Sequence, residues 1–223
     1  MTFTPYLVLC AAHLVLLETG PDWAVTGSKA LLMPLLALGV VLAARSAGAR
    51  SPWLLLLAIA LSWAGDVALS FPGMFVVGLG AFLLAHVAYI TVFLRMPGGR
   101  RRPPLWTLVY VAWFAGFLVL LGPHTGVLFV PVAVYGLVLG LMAAFAASRG
   151  PLMAVGGALF VTSDSVLGLG RFLPGYEFAL HDLTVMSTYL AAQLLISLGV
   201  LAALRAAAPT SREPGRPVPA TAR

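Results

Sequence analysis

Charge is what this sequence has least of. Only 9% of its 223 residues are Asp, Glu, Lys or Arg, where a soluble domain carries about 25%. Sixty-one per cent are hydrophobic, and the mean hydropathy is +1.02. This balance excludes an ordinary water-soluble globule and indicates a polytopic membrane protein. Lysine is nearly missing: Lys29 stands alone among 13 basic residues. The net charge of +6 is therefore arginine charge, and the arginines flank apolar runs. There they set membrane orientation, and no nucleic-acid partner is expected. One cysteine, Cys10, excludes an internal disulfide. No G-x-S-x-G elbow, H-E-x-x-H pair or Walker loop occurs, which argues against the enzyme classes that depend on them. His86, His181 and the aspartates show no zinc-ligand spacing, so neither a metal nor a cofactor is expected.

What remains is apolar runs. A spanning helix needs about 20 mostly apolar residues. Cutting at charge, Gly and Pro predicts eight spans over 3–18, 24–44, 52–70, 74–95, 105–122, 126–148, 151–171 and 178–205. The first is short. Its "LVLC" (7–10) is not a lipoprotein cleavage site, because Leu9 is not small and no basic residue precedes it, so a retained helix is expected. The fold class is thus an all-α integral membrane bundle of eight helices, one domain over 1–205. Short loops predict antiparallel neighbours packed side by side. Arg45, Arg50, Arg95, Arg100, Arg101, Arg102, Arg149, Arg205, Arg212, Arg216 and Arg223 all fall on one side, with only Arg171 opposite. The positive-inside rule makes that side cytoplasmic, with both termini, in a cell membrane. The Pro-rich stretch 206–223 reads as a disordered cytoplasmic tail. Nothing in the sequence speaks to oligomeric state.

Three landmarks recur. Pro34, Pro52 and Asp66 match Pro131, Pro151 and Asp164 at offsets of 97, 99 and 98. The halves then read as two parallel four-helix repeats. Both aspartates would lie about 20 Å from the cytoplasmic end of a core about 30 Å thick.

An Asp at a helix centre costs about 2.5–3.5 kcal/mol on insertion scales, so it faces the bundle interior and has a partner. Asp66 and Asp164 read either as hydrogen-bonded anchors or as a working carboxyl pair; two at one depth favour work over glue. Lys29 reads as a snorkelling residue, a partner of Asp66 or a clamp on a lipid phosphate. His86 has Tyr89 on the same face at i+3, and its counterpart in the second half is Thr184. Tyr189 and Gln193 (i, i+4) share an inward face of the last span. Ser163 and Ser165 flank Asp164 and are expected to orient it. His13 and His124, near span ends, are given no role.

The stretches "GDVAL" (65–69), "GLGAFLLAHVAY" (78–89), "GALFVTSDSVLGLGRF" (157–172) and "YLAAQLLI" (189–196) resemble the YhhN family of eight-span membrane proteins, which includes the lysoplasmalogenases. The resemblance runs in order over nearly the whole chain to Arg205. Two departures stand out: Ala30 follows Lys29 where the family often has Lys-Pro, and Thr188 precedes Tyr189 where it often has paired tyrosines. The resemblance implies hydrolysis of the vinyl ether bond of a lysoplasmalogen to a fatty aldehyde and a glycerophospho-base.

The residues suit that demand. A vinyl ether is protonated at its β-carbon, and water captures the resulting oxocarbenium ion. This resembles the task of a glycosidase carboxylate pair. On this reading Asp66, Asp164 and His86 are catalytic. Lys29, Tyr89, Ser163, Ser165, Tyr189 and Gln193 bind a lysolipid amid membrane lipids, its headgroup towards Lys29 or Arg171. The rival class is a transporter or lipid carrier that uses the same carboxylates; a third is a non-catalytic scaffold.

Overall fold

The computed structural model describes residues 2–48, 51–98 and 102–207. Among these residues it has eight α-helices and no strand: α1 Thr4–Thr19, α2 Asp22–Ser46, α3 Trp53–Leu69, α4 Phe75–Arg95, α5 Val109–Leu121, α6 Phe129–Ala147, α7 Pro151–Phe172 and α8 His181–Ala206. Short 3-10 turns extend α5 and α6, so those two elements run over Leu105–His124 and Gly126–Ala147. Six of the eight are long and apolar enough to cross a membrane; α1 and α3 are shorter apolar helices of 16 and 17 residues. The chain is a multi-pass membrane protein. Most of the predicted tail lies outside the described residues, which end at Ala207.

Local chemistry sets the helix ends. Pro52 precedes α3 and Pro151 opens α7, where a missing N–H costs nothing. Gly150 enters α7 at φ +129°, a conformation that side chains resist. Arg45, Arg95 and Arg205 occupy the last turns of α2, α4 and α8, where cations suit the negative end of the helix dipole. Arg149 donates to the carbonyls of Met96 (3.2 Å) and Gly98 (2.5 Å), and Arg205 to that of Ala43 (3.4 Å). These bonds gather the described arginines that follow even-numbered helices at one end of the bundle. Arg171, in the last turn of α7, sits at the other end.

The two most extensive helix contacts are α3 with α4 and α7 with α8, equivalent pairs in the two halves. Small residues bring each pair close, as membrane helices require. A Cβ on Gly65 would stand 2.5 Å from the Phe82 ring, and one on Gly156 would stand 2.8 Å from the Ile196 side chain. The polar residues do not repeat with the helices. Tyr135, on α6, falls opposite Ala37, and His86 opposite Thr184.

Two expectations need correction. Neighbouring helices are not all packed side by side: α4 lies chiefly against α3 and α6 rather than α5. The stretch between α4 and α5 holds three prolines and three arginines in succession, giving α5 room to sit at the edge. There Val111, Val119 and Leu120 are exposed, as suits a lipid-facing surface. The last helix starts at His181 rather than 178, because a turn at Pro174–Gly175 (Gly175 φ +69°) delays it.

Candidate active site

Asp66 is buried in the last turn of the apolar α3 and still finds a partner. It accepts a hydrogen bond from the Tyr189 hydroxyl of α8 at 2.7 Å. Tyr189 is itself buried, with Gln193 one turn further along α8; Gln193 accepts from Tyr89 of α4. Tyr89 and Gln193 therefore face inward as expected, but they bond each other and meet no cavity. Gln193 Nε2 and Ser62 Oγ, one turn before Asp66, are buried without a hydrogen-bond partner among the described residues.

Asp164, on α7, has a different surrounding. The Tyr135 hydroxyl of α6 donates to its Oδ2, and His86 Nε2 of α4 lies 3.4 Å from the same oxygen. His86 Nε2 is also 3.1 Å from the Tyr135 oxygen. That hydroxyl spends its one hydrogen on the carboxylate, so it accepts from an Nε2–H tautomer of His86. His86 is fully buried and packs edge-on to Phe160 at 4.8 Å. Three helices thus supply a carboxylate, a phenol and an imidazole bonded in series. The side chain of Asp164 keeps 9% exposure.

That exposure opens onto a narrow apolar cavity of about 40 Å³. Leu79, Phe82, Phe117 and Leu139 form its walls, and Tyr135 and Asp164 bring polar atoms to it. Asp66 is absent from the lining. The Phe160 ring touches both clusters, packing edge-on to His86 of one and to Tyr189 of the other at 5.5 Å.

The serines do not orient Asp164. Ser163 Oγ donates to the Val185 carbonyl of α8 at 3.0 Å, and Ser165 Oγ to the Val161 carbonyl at 2.6 Å. Ser165 also accepts from Trp113 Nε1 at 3.0 Å, which holds that indole in the cavity wall. Adjacent residues on a helix project in different directions, so neither serine shares the face of Asp164.

Lys29 makes no ion pair within 4 Å among the described residues; it stands within electrostatic range of Asp66 and lines a second, polar hollow at the end of the bundle. His13 is buried and shares a 2.8 Å hydrogen bond with Ser28, which ties α1 to α2. Among the described residues, no three His, Cys, Asp or Glu side chains group to hold a metal ion, and His86 and His181 stay apart.

Sequence reasoning missed Tyr135. Its signal was weak but real: a phenol inside a membrane helix needs a partner for its hydroxyl, and α6 offers it no polar neighbour.

The family model for YhhN matches residues 24–200. Lysoplasmalogenase TMEM86B of Rattus norvegicus is 34% identical over 199 residues, covering 88% of this chain and 82% of its own length. The corresponding Homo sapiens protein is 33% identical over 200 residues, covering 89% and 85%. Lysoplasmalogenase of Mycobacterium tuberculosis is 37% identical over 182 residues, covering 77% and 68%. No solved structure matches the chain.

Proposed function

This chain belongs to the YhhN family, and from that premise we propose that it is a membrane-embedded hydrolase that cleaves the vinyl ether bond of lysoplasmalogen-type lysolipids. The observation that carries the reading is one carboxyl group, Asp164, set in the wall of an otherwise apolar cavity and backed by Tyr135 and His86. An apolar lining of this kind suits an aliphatic chain, and the bond beside it meets an acid.

The reaction adds water across the alkenyl ether, R–CH=CH–O–R′ + H₂O → R–CH₂–CHO + HO–R′. Asp164 in its acid form gives its proton to the β-carbon, and its carboxylate then faces the oxocarbenium ion. In a water-poor site a fixed charge there stabilises the ion more than it would in bulk. The same carboxylate takes a proton from the incoming water. The hemiacetal collapses as the proton passes to the departing oxygen. Tyr135 holds Oδ2, leaving Oδ1 for the substrate, and His86 acts through Tyr135 by fixing the direction of its hydroxyl. Asp66 and Tyr189 serve as a fixed negative charge. Tyr89 and Gln193 position Tyr189 rather than touch substrate.

The helix bundle over 1–205 works as one domain in the cell membrane, with both termini and the arginine-rich end cytoplasmic. Reporter fusions after Arg102 and Arg205 should both read as cytoplasmic, and an external reading at either reverses the orientation. The activity is tested with purified protein and lysoplasmenyl-ethanolamine in detergent, measuring the aldehyde released. Steady release in the absence of a sealed membrane is expected. Function seen only across a sealed membrane overturns the hydrolase in favour of a carrier.

A further inference from the structure

The apolar cavity does not end at its own walls. Leu69, Phe75 and Leu167 line it and also line the polar hollow at the end of the bundle opposite the arginine-rich one. Beyond those three residues the hollow carries charge: Lys29 from α2, Arg171 from α7 and Asp182 from the start of α8. Lys29 is the chain's one lysine, and among the described residues Arg171 is the arginine that lines this hollow. Neither makes an ion pair within 4 Å among the described residues. Arg171 instead lies over the Phe75 ring, 4.9 Å from its centroid, at the junction of the two spaces. Asp182 meets only His181, at 3.9 Å, and its side chain is 76% exposed.

We infer that this hollow is the headgroup site of the lysolipid: Lys29 and Arg171 take the phosphodiester, and Asp182 takes the ammonium of an amino-alcohol head. Both cations line the hollow without an ion pair within 4 Å among the described residues, and an anion bound there gives each a close opposite charge. An arginine and a lysine give such an anion both a planar fork and a point charge. The acid lines the same hollow and supplies a charge for the positive end of a zwitterion. The inference rests on the hydrolase reading and adds to it the residues that hold the substrate's head: Lys29, Arg171 and Asp182.

The spacing agrees. Arg171 follows Asp164 by seven residues on α7, a rise of about 10 Å. From the phosphorus of a 1-alkenyl-glycerophospholipid to the vinyl β-carbon is about seven bonds, on the order of 9 Å when extended. A phosphate held at the hollow thus brings the β-carbon to the depth of Asp164, and the rest of the chain continues into the cavity. The junction of Leu69, Phe75 and Leu167 is passed by the glycerol.

The test separates head binding from turnover. Full-length protein in detergent is titrated by calorimetry with three probes: a saturated 1-alkyl-lysophosphoethanolamine, which cannot be hydrolysed at a vinyl ether; the corresponding 1-alkylglycerol, which lacks the phosphate; and phosphoethanolamine, which lacks the chain. Lys29→Met and Arg171→Met should each weaken the first probe about tenfold and leave the alkylglycerol unchanged. Asp182→Asn should weaken the ethanolamine probe several-fold and leave its 1-alkyl-lysophosphatidate analogue, which has no amine, unchanged. Free phosphoethanolamine should bind far more weakly than the amphiphile. Unchanged affinity of all three variants for the first probe overturns the site, even if vinyl ether turnover is intact. Selective loss with no turnover in any variant or in the wild type keeps the site and removes the hydrolase. Equal binding of phosphoethanolamine and the amphiphile overturns the amphiphile in favour of a soluble phosphate ester.

Discussion

Asp66 and Asp164 hold equivalent places in the two halves of the chain, and each accepts a tyrosine hydroxyl from a different helix. There the likeness stops. Asp66 is buried and does not line the apolar cavity, whereas Asp164 forms part of its wall and has a histidine behind its tyrosine. A repeated helix can therefore carry the same residue to two different tasks. What decides the task is which neighbours the other helices bring. α6 and α4 give Asp164 Tyr135 and His86; α8 gives Asp66 Tyr189 alone. The carboxyl group that has both the histidine and the cavity is Asp164, and it is the one we propose as the acid.

The sharpest way to break this contrast is to exchange each carboxyl for an amide. Asp164→Asn keeps the shape and the hydrogen bond from Tyr135 but cannot pass a proton, so kcat should fall about 10²–10⁴-fold. Asp66→Asn still accepts from Tyr189 and loses only charge, so its kcat should fall much less, by about tenfold. Aldehyde release measured beside a detergent melting curve decides. Two equally inactive variants with wild-type melting temperatures would make the aspartates a true carboxyl pair and end the asymmetry.

The tyrosines come next. Tyr135→Phe removes the hydroxyl between Asp164 and His86, and should lower kcat about 10–100-fold with KM nearly constant. Tyr189→Phe leaves a buried carboxylate without its donor and should cost stability instead, about 1–3 kcal/mol. A kcat loss for Tyr189→Phe equal to that for Tyr135→Phe, at an unchanged melting temperature, would put catalysis in both clusters.

Much of this was legible in the sequence, for physical reasons. Burying charge in lipid is costly enough that Asp66, Asp164 and His86 had to face inward, and they do. Hydropathy located the helices because backbone groups in a membrane have to be satisfied within each segment. What the sequence did not disclose was pairing across helices. Tyr135 meets His86 and Asp164 only because α6 packs against both α4 and α7, and no spacing along the chain records that. The expectation for Ser163 and Ser165 failed for the opposite reason. Closeness in sequence was taken for closeness in space, although residues next to one another on a helix face apart. For Lys29 the sequence alone allows three roles, and the hollow it shares with Arg171 favours the clamp.

The smallest effects expected are at those two serines, and they test whether Asp164 needs local help. Ser163 holds α7 to α8 through the Val185 carbonyl, and Ser165 holds the Trp113 indole in the cavity wall. Ser163→Ala should therefore lower stability by about 0.6–1 kcal/mol and leave both kinetic constants within about twofold. Ser165→Ala frees the indole, so the wall against which the chain packs becomes less defined. KM should rise a few-fold while kcat holds, because that contact is the same in the ground and transition states. The measurement is full saturation kinetics on both variants, since a single substrate concentration would blur KM into rate. A fall in kcat for either serine comparable to that for Tyr135→Phe would mean that the carboxyl is steered from its own helix, and the assignment of that task to α6 and α4 would have to be withdrawn.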